Sequence, residues 1–157
     1  MDKESIQDRY LFFVGVMTQQ AAGTDAILCW TLQKLTGIKK ELAEAIFYTF
    51  DAFQTRRILI ERVLVAIKAD KPTEDLVDTI IRNAEKVNKR RAELAHATIG
   101  STSTYPAGPV QFRAKLQTQK FRPVTDAYIN SVLAEASGAT QSAWQAYEAL
   151  TQQAQHR

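Results

Sequence analysis

The sequence predicts an all-α fold, a four-helix up-down bundle of long antiparallel helices. Apolar residues recur at spacings of three and four along most of the chain, which is the pattern of amphipathic helices. Glycine and proline are scarce, six and four in 157 residues, and fall mainly between these periodic segments. A chain of this length is typical of one domain. We therefore expect residues 1–157 to fold as a single unit, because long helices joined by short turns usually pack antiparallel.

The first two helices are predicted on either side of Gly37. The first runs from Ile6 to Leu35, and Gly37 follows it as a stop signal. The second runs from Lys39 to Ala69, a length that corresponds to about 45 Å of helix. Its apolar residues recur mostly at spacings of three and four: Leu42, Ile46, Phe50, Phe53, Ile60, Leu64 and Ile67.

The third and fourth helices are separated by the densest loop signal in the chain. The third is predicted from Glu74 to Thr98, with Thr73 as a candidate N-cap, and the fourth from Val124 to Ala154. Between them, Ile99 to Arg122 is rich in Gly, Ser, Thr and Pro. The alternating stretch from Val110 to Leu116 favours a short strand or hairpin arm within this loop.

Composition excludes several classes of protein. The chain carries a net charge of +3, which is compatible with binding an anion or a nucleic acid. Its one cysteine, Cys29, rules out an internal disulfide and fits a reducing compartment. No stretch approaches the roughly 20 apolar residues of a membrane span, and the N-terminus lacks a secretory signal. We expect a cytoplasmic protein, and no zinc spacing or phosphate loop indicates a metal or cofactor.

Arg91 and His96 are the candidate chemical groups of the third predicted helix. On a helical wheel of about 100° per residue, Arg91 falls on the apolar stripe formed by Ile80, Ala84, Val87 and Leu94. A guanidinium on an apolar face is costly unless something pairs with it. Spacing alone favours a structural interpretation. Arg91 would pack its stem on the core and extend its head to solvent, and His96 would contact carbonyls at the helix C-terminus.

The Arg91-x4-His96 spacing near the end of a third bundle helix resembles the motif of HEPN domains. These helical domains occur in higher eukaryotes and prokaryotes and often partner nucleotidyltransferases. The stretch Ala45 to Phe53, with Arg56 to Glu61 after it, is similar to the second helix of bacterial members. The segment Ala92 to Ala97 resembles the Arg-Asn-x-x-Ala-His motif of the bacterial members. The resemblance extends over residues 5 to 150 in the general arrangement of the predicted helices. Its specific motif consists of two residues, Arg91 and His96.

The resemblance implies a metal-independent endoribonuclease that acts as a homodimer, of the kind found in toxin–antitoxin or phage-defence systems. In the family, the motif Arg and His of both subunits line one cleft at the dimer interface. Arg91 would bind the scissile phosphate and stabilise its developing charge. His96 would act as general base or acid while the RNA 2′-hydroxyl attacks phosphorus, leaving a 2′,3′-cyclic phosphate. RNA, a second copy, and an antitoxin or nucleotidyltransferase are the implied partners.

One departure from the family pattern leaves the activity open. Active members usually carry a polar residue, often Asn, directly after the Arg, whereas this chain has Ala92. Asn88, one turn earlier on nearly the same face, is a candidate replacement. Arg57, with Arg56 and Arg62, could extend an RNA-binding groove, although a charged helix face is usually only solvated. The alternatives are a catalytically inactive HEPN-like dimer serving as an interaction module, and an unrelated bundle that binds a protein or small ligand.

Overall fold

A computed structural model describes residues 6–95, 111–113, 121–123 and 125–153, with side chains at 8–94 and 125–153. The predicted helical class is confirmed for these residues. None of the described helices has the length and apolar character needed to cross a membrane. The elements in chain order are α1 (Ile6–Thr36), α2 (Lys40–Tyr48), α3 (Phe53–Ala66), α4 (Lys71–Ala95), β1 (Gln111–Arg113), β2 (Phe121–Pro123) and α5 (Asp126–Gln153).

The two strands form a short antiparallel pair between α4 and α5 in the chain. Phe112 of β1 lies opposite Arg122 of β2. Most of the region from Ile99 to Arg122, predicted as a loop or hairpin, lies outside the described residues.

The prediction of one helix from Lys39 to Ala69 is wrong, because the chain breaks after Tyr48. In a continuous helix the Phe50 carbonyl would accept a hydrogen bond from the backbone N–H four residues later. It accepts one instead from Arg56 Nε, at 2.7 Å. Ala52 has extended backbone angles, φ −85° and ψ 131°, and serves as the N-cap of α3. A side chain thus satisfies the carbonyl that the break exposes, and two short helices replace one long one.

Short turns join α1 to α2 and α3 to α4. Gly37 ends α1 as predicted, because its φ of 67° is left-handed and its N–H bonds to the Gln33 carbonyl at 2.8 Å. Lys68, with φ 52°, makes the corresponding turn after α3. Thr73 is not the N-cap of α4. Asp70 has that role, because its Oδ1 accepts the Thr73 N–H at 3.1 Å and the helix begins earlier than predicted.

Three long helices form the body of the described fold. Tyr10 Oη donates to the Leu94 carbonyl at 2.7 Å, so the start of α1 lies beside the end of α4 and the two are antiparallel. Arg9 pairs with Asp126 at 2.9 Å, which places the start of α5 at the same end. The chain therefore does not run as four long helices in up-down order. The short helices α2 and α3 stay at the opposite end, where α1 finishes and α4 begins.

Two groups of buried apolar side chains follow this arrangement. One lies where α2 and α3 pack on the long helices, with Phe47 and Ile60 fully buried at its centre. The other lies between the long helices near Tyr10, with Phe13 and Val87 buried in it. α3 is held on the body mainly through the first group.

We predict that Ile60→Ala destabilises the fold by about 3 kcal/mol, because it leaves a cavity under α3. Ile58→Ala, the same change two residues away at a side chain that is 44% exposed, should cost about 0.5 kcal/mol or less. Urea unfolding of both variants checks this, and equal losses would show that α3 does not pack through Ile60.

Candidate functional site

Arg91 occupies an unusual place on α4. The side chains of α4 that are less than 10% exposed span one arc of the helix: Thr73, Val77, Ile80, Ile81, Asn83, Ala84, Val87 and Leu94. At about 100° per residue, Arg91 falls near the middle of that arc. It is nevertheless exposed, although Val87 and Leu94, one turn on either side, are buried. The inward arc of α4 is therefore uncovered at this level.

The uncovered arc arises because α3 is short. Arg57 of α3 reaches Glu85 with its Nη1 at 3.5 Å, so α3 lies over the first part of α4. Asn88 and Arg91 come after that contact and are not covered by it. We call the region between α1 and α4 at this level the α1–α4 groove and define it by four residues: Asp25, Arg56, Asn88 and Arg91.

Arg56 closes the end of the groove that adjoins α3. Its Nη1 donates to Asp25 Oδ2 of α1 at 2.7 Å, while its Nε holds the Phe50 carbonyl. Its guanidinium carbon lies 5.0 Å and 5.3 Å from the ring centroids of Phe47 and Tyr48, within cation–π range. The Arg56 and Asp25 side chains are 12% and 29% exposed, the least exposed ion pair among the described residues. Three elements are thus joined through one side chain.

Asp25 is a carboxylate in a partly desolvated position between two arginines. Burial raises its pKa above the ordinary value of 3.8, and the charge and hydrogen bond of Arg56 offset part of that rise. The charge of Arg91 on α4 lowers the pKa of Asp25 by a smaller amount. Burial likewise raises the pKa of the Cys29 thiol, which favours a packed side chain over a reactive one.

The structure places two of the predicted site residues, Arg91 and Asn88, in contact with each other and gives a third, Arg57, different partners. Arg91 Nη2 donates to Asn88 Oδ1 at 3.2 Å, so these two lie together. Arg57 instead pairs with two carboxylates, Glu61 at 2.7 Å and Glu85 at 3.5 Å, which compensate its charge. Within the part of the chain that the structure describes, Arg91 has no carboxylate within ion-pair distance. His96 lies outside the described residues.

Sequence reasoning did not identify Asp25 as a site residue. A signal was present, since Asp25 is the only acidic residue between Asp8 and Glu41. A single carboxylate in a long, mostly apolar helix needs a partner. The identity of that partner, Arg56, depends on the break before α3, which the apolar pattern did not predict.

Aromatic side chains lie together elsewhere, between α1 and α5. Trp30 meets Trp144 edge to face with ring centroids 5.9 Å apart, and Tyr147 lies 6.0 Å from Trp30. These contacts join two helices, as aromatic packing commonly does. Among the described side chains no group of three or more His, Cys, Asp and Glu could hold a metal ion.

No protein-family model matches the chain, and no curated protein or solved structure shows significant similarity to it. The HEPN resemblance therefore stays a prediction, based on the residues and motif that suggest it.

We predict that Arg56→Met destabilises the protein by about 2 kcal/mol at pH 7, because it leaves Asp25 charged and unpaired in a partly buried position. Without Arg56 the pKa of Asp25 rises further. A raised folded-state pKa gives stability that is greatest below the unfolded value and is lost as pH rises through the folded value. The loss caused by Arg56→Met should therefore shrink as pH is lowered toward 4.

Arg57→Met is the matched control, because it removes the neighbouring arginine from exposed ion pairs. It should cost about 1 kcal/mol or less. Urea unfolding at pH 7 and at pH 4.5 measures both. An Arg56→Met loss that equals the Arg57→Met loss, or that does not change with pH, would contradict the role given to the Asp25–Arg56 pair.

Proposed function

We propose that this protein is a cytoplasmic, metal-independent endoribonuclease of the HEPN type that acts as a homodimer. The observation that carries the proposal is the uncovered Arg91. It lies on the inward arc of α4, is exposed, and has no carboxylate within ion-pair distance among the described residues. An exposed arginine at the edge of a groove, with N–H donors that the described residues do not use, is suited to bind a phosphodiester.

The chemistry assigned to the groove needs few groups. A guanidinium has five N–H donors, and the contact with Asn88 uses one of them. The others are available to the two non-bridging oxygens of a phosphate, whose charge grows as the 2′-hydroxyl attacks. In the proposal His96 takes the proton from that hydroxyl and acts near neutral pH. The five-membered cyclic phosphate forms as the 5′-oxygen leaves.

A second copy of the chain is the proposed partner at this face. Leu11 and Phe12 of α1 are 56% and 71% exposed. They lie near the start of α1, at the end marked by Tyr10. A subunit covering them would bury apolar area and could bring a second Arg91 to the same cleft. An antitoxin or a nucleotidyltransferase-type protein is a further partner that the resemblance proposes.

We predict that the wild-type protein cleaves RNA in the presence of EDTA and leaves 2′,3′-cyclic phosphate ends. Arg91→Ala should lower the rate by about a hundredfold or more, because it removes the donors to the developing charge. His96→Ala should cause a similar loss through the missing proton transfer. Rates are measured on a labelled single-stranded RNA at saturating protein.

Arg82→Ala is the control for this assay. Arg82 lies on the same helix in an exposed pair with Asp78, and its loss should leave the rate unchanged. Circular dichroism of every variant verifies folding. A folded wild type that does not cleave, or cleavage that persists in Arg91→Ala, would contradict the ribonuclease proposal.

Ala92 favours a second candidate, an inactive HEPN-like dimer that serves as an interaction or adaptor module. Ala92 provides no polar atom beside Arg91, whereas active members of the family usually have one there. If this candidate is right, the wild type is inactive and Ala92→Asn gains cleavage by about tenfold or more over background, the size of an effect from one added polar contact. Ala92→Leu, which adds bulk without a polar atom, is the control and should stay inactive.

A further inference from the structure

The turn between α2 and α3 interrupts a segment whose sequence favours helix throughout. Residues 39–69 contain no glycine or proline. Ala52 is the N-cap of α3, although alanine is a poor N-cap, and it makes no side-chain cap hydrogen bond. Its backbone N–H donates to no residue that the structure describes. The turn therefore has no local residue that specifies it, and Arg56 holds it through a 2.7 Å bond to the Phe50 carbonyl.

The interruption also changes which side of α2 faces the core. α2 packs through Ala43 and Phe47, which are buried, while Leu42 and Ile46 are 52% and 37% exposed. In one continuous helix, at about 100° per residue, Leu42 and Ile46 would lie within about 40° of the buried Ile60. By the same geometry Ala43 and Phe47 would lie about 100° and 140° away from it. The exposed pair thus completes an apolar stripe that only a continuous helix would have.

A continuous helix over residues 40–66, about 40 Å long, cannot keep both packing arrangements within one chain. With Ile60 still buried, Ala43 and Phe47 would turn away from their present contacts. α1 would move with α2, because the turn at Gly37 that joins them is short. The surface that α1 and α2 leave on α3, α4 and α5 fits the same two helices of a second copy. Exchange of identical elements between copies costs little, because each contact is made again between the chains.

We infer that residues 49–52 are a hinge, which we call the α2–α3 hinge, and that Arg56 keeps it in the interrupted form. Without that restraint residues 40–66 become one helix, and two copies of the chain exchange α1 and α2. The Arg56 bond to Phe50 distinguishes the two forms, since in a continuous helix the Phe50 carbonyl accepts the Gln54 N–H instead. The pair of Arg56 with Asp25 can form in both, between chains in the exchanged dimer. The inference does not rest on the proposed function.

Leu42 and Ile46 favour a second copy as the partner. In a dimer with twofold symmetry the two hinge segments pass each other at the axis. Both residues lie within two helical turns before the hinge, so each would be close to the hinge helix of the other copy. Removing their apolar area from water then stabilises the exchanged dimer. An unrelated protein would not restore the contacts that α1 and α2 leave.

The experiment uses proline to forbid one form and keep the other. Ala52 has φ −85° and ψ 131°, close to the angles that proline adopts. Ala52→Pro therefore fits the interrupted form, whereas inside a continuous helix it removes a hydrogen bond and clashes with the preceding turn. Lys39→Pro is the matched control, because Lys39 is the N-cap of α2, with φ −62°, and lies outside residues 40–66. Each variant is refolded from urea at high protein concentration, and its mass is measured by size-exclusion chromatography with light scattering.

We expect Arg56→Met to raise the dimerisation constant about tenfold or more over wild type, because each hinge loses a bond from a charged donor that only the interrupted form makes. Adding Ala52→Pro should return the constant to the wild-type value, and adding Lys39→Pro should leave it raised. Arg56→Lys keeps a cation beside Asp25, should raise the constant about threefold, and decides the result if Arg56→Met does not fold. Ala52→Gly, which lowers helix propensity without fixing φ, replaces Ala52→Pro if the proline variant does not fold.

Two results would overturn the inference. One is a dimerisation constant that rises in neither Arg56 variant. The other is a rise that the change at Ala52 does not reduce, because the added association would then not need a continuous helix.

The homodimer of the proposed function is a separate association. It forms near the start of α1, around Leu11 and Phe12, and needs no change at the α2–α3 hinge. Each constant is compared with that of the wild type, which contains the same residues at that face, so this homodimer does not account for a difference. Because no step measures RNA cleavage, failure of the ribonuclease proposal would leave the result of the exchange experiment unchanged.

Discussion

The arrangement of this protein depends on the Arg56 guanidinium. One planar group bonds to the Phe50 carbonyl, pairs with Asp25 of α1, and lies over the rings of Phe47 and Tyr48. It thereby stabilises the break between α2 and α3 and attaches both to α1. A lysine in its place could not make the two directed bonds and the ring contacts together, because its donors share one point.

The groove is a consequence of that break. With α2 and α3 folded back at one end of the body, α3 covers the first part of α4 and the inward arc of α4 is open further along. Arg91 lies in the open part, where its charge need not be buried. The cost of a guanidinium on an apolar stripe is avoided by local exposure, and the same exposure makes the side chain accessible to an anion. The break between α2 and α3 therefore accounts both for the open part of the α4 arc and for the accessibility of Arg91.

Local signals in the sequence predicted part of this fold and site. The helical class and the end of α1 at Gly37 follow from spacing and from the left-handed freedom of glycine, and both are confirmed. The break after Tyr48 could not be predicted in the same way. The segment from Lys39 to Ala69 contains no glycine or proline, and its apolar spacing continues across the break. A tertiary contact, Arg56 with Asp25, overrides that local pattern. Arg91 was found because its position on the stripe is a local property, whereas Asp25 gains its meaning only from a partner 31 residues away.

The central claim is that RNA binds in the α1–α4 groove at Arg91. Side-chain Nε–Hε resonances of the arginines, assigned by single Arg→Lys substitutions and titrated with a 2′-O-methyl RNA, test it directly and without requiring cleavage. Our account predicts the largest shift at Arg91 and a smaller one at Arg56, with Arg57 and Arg82 nearly unmoved. An unmoved Arg91, or shifts of equal size at every exposed arginine, would contradict it.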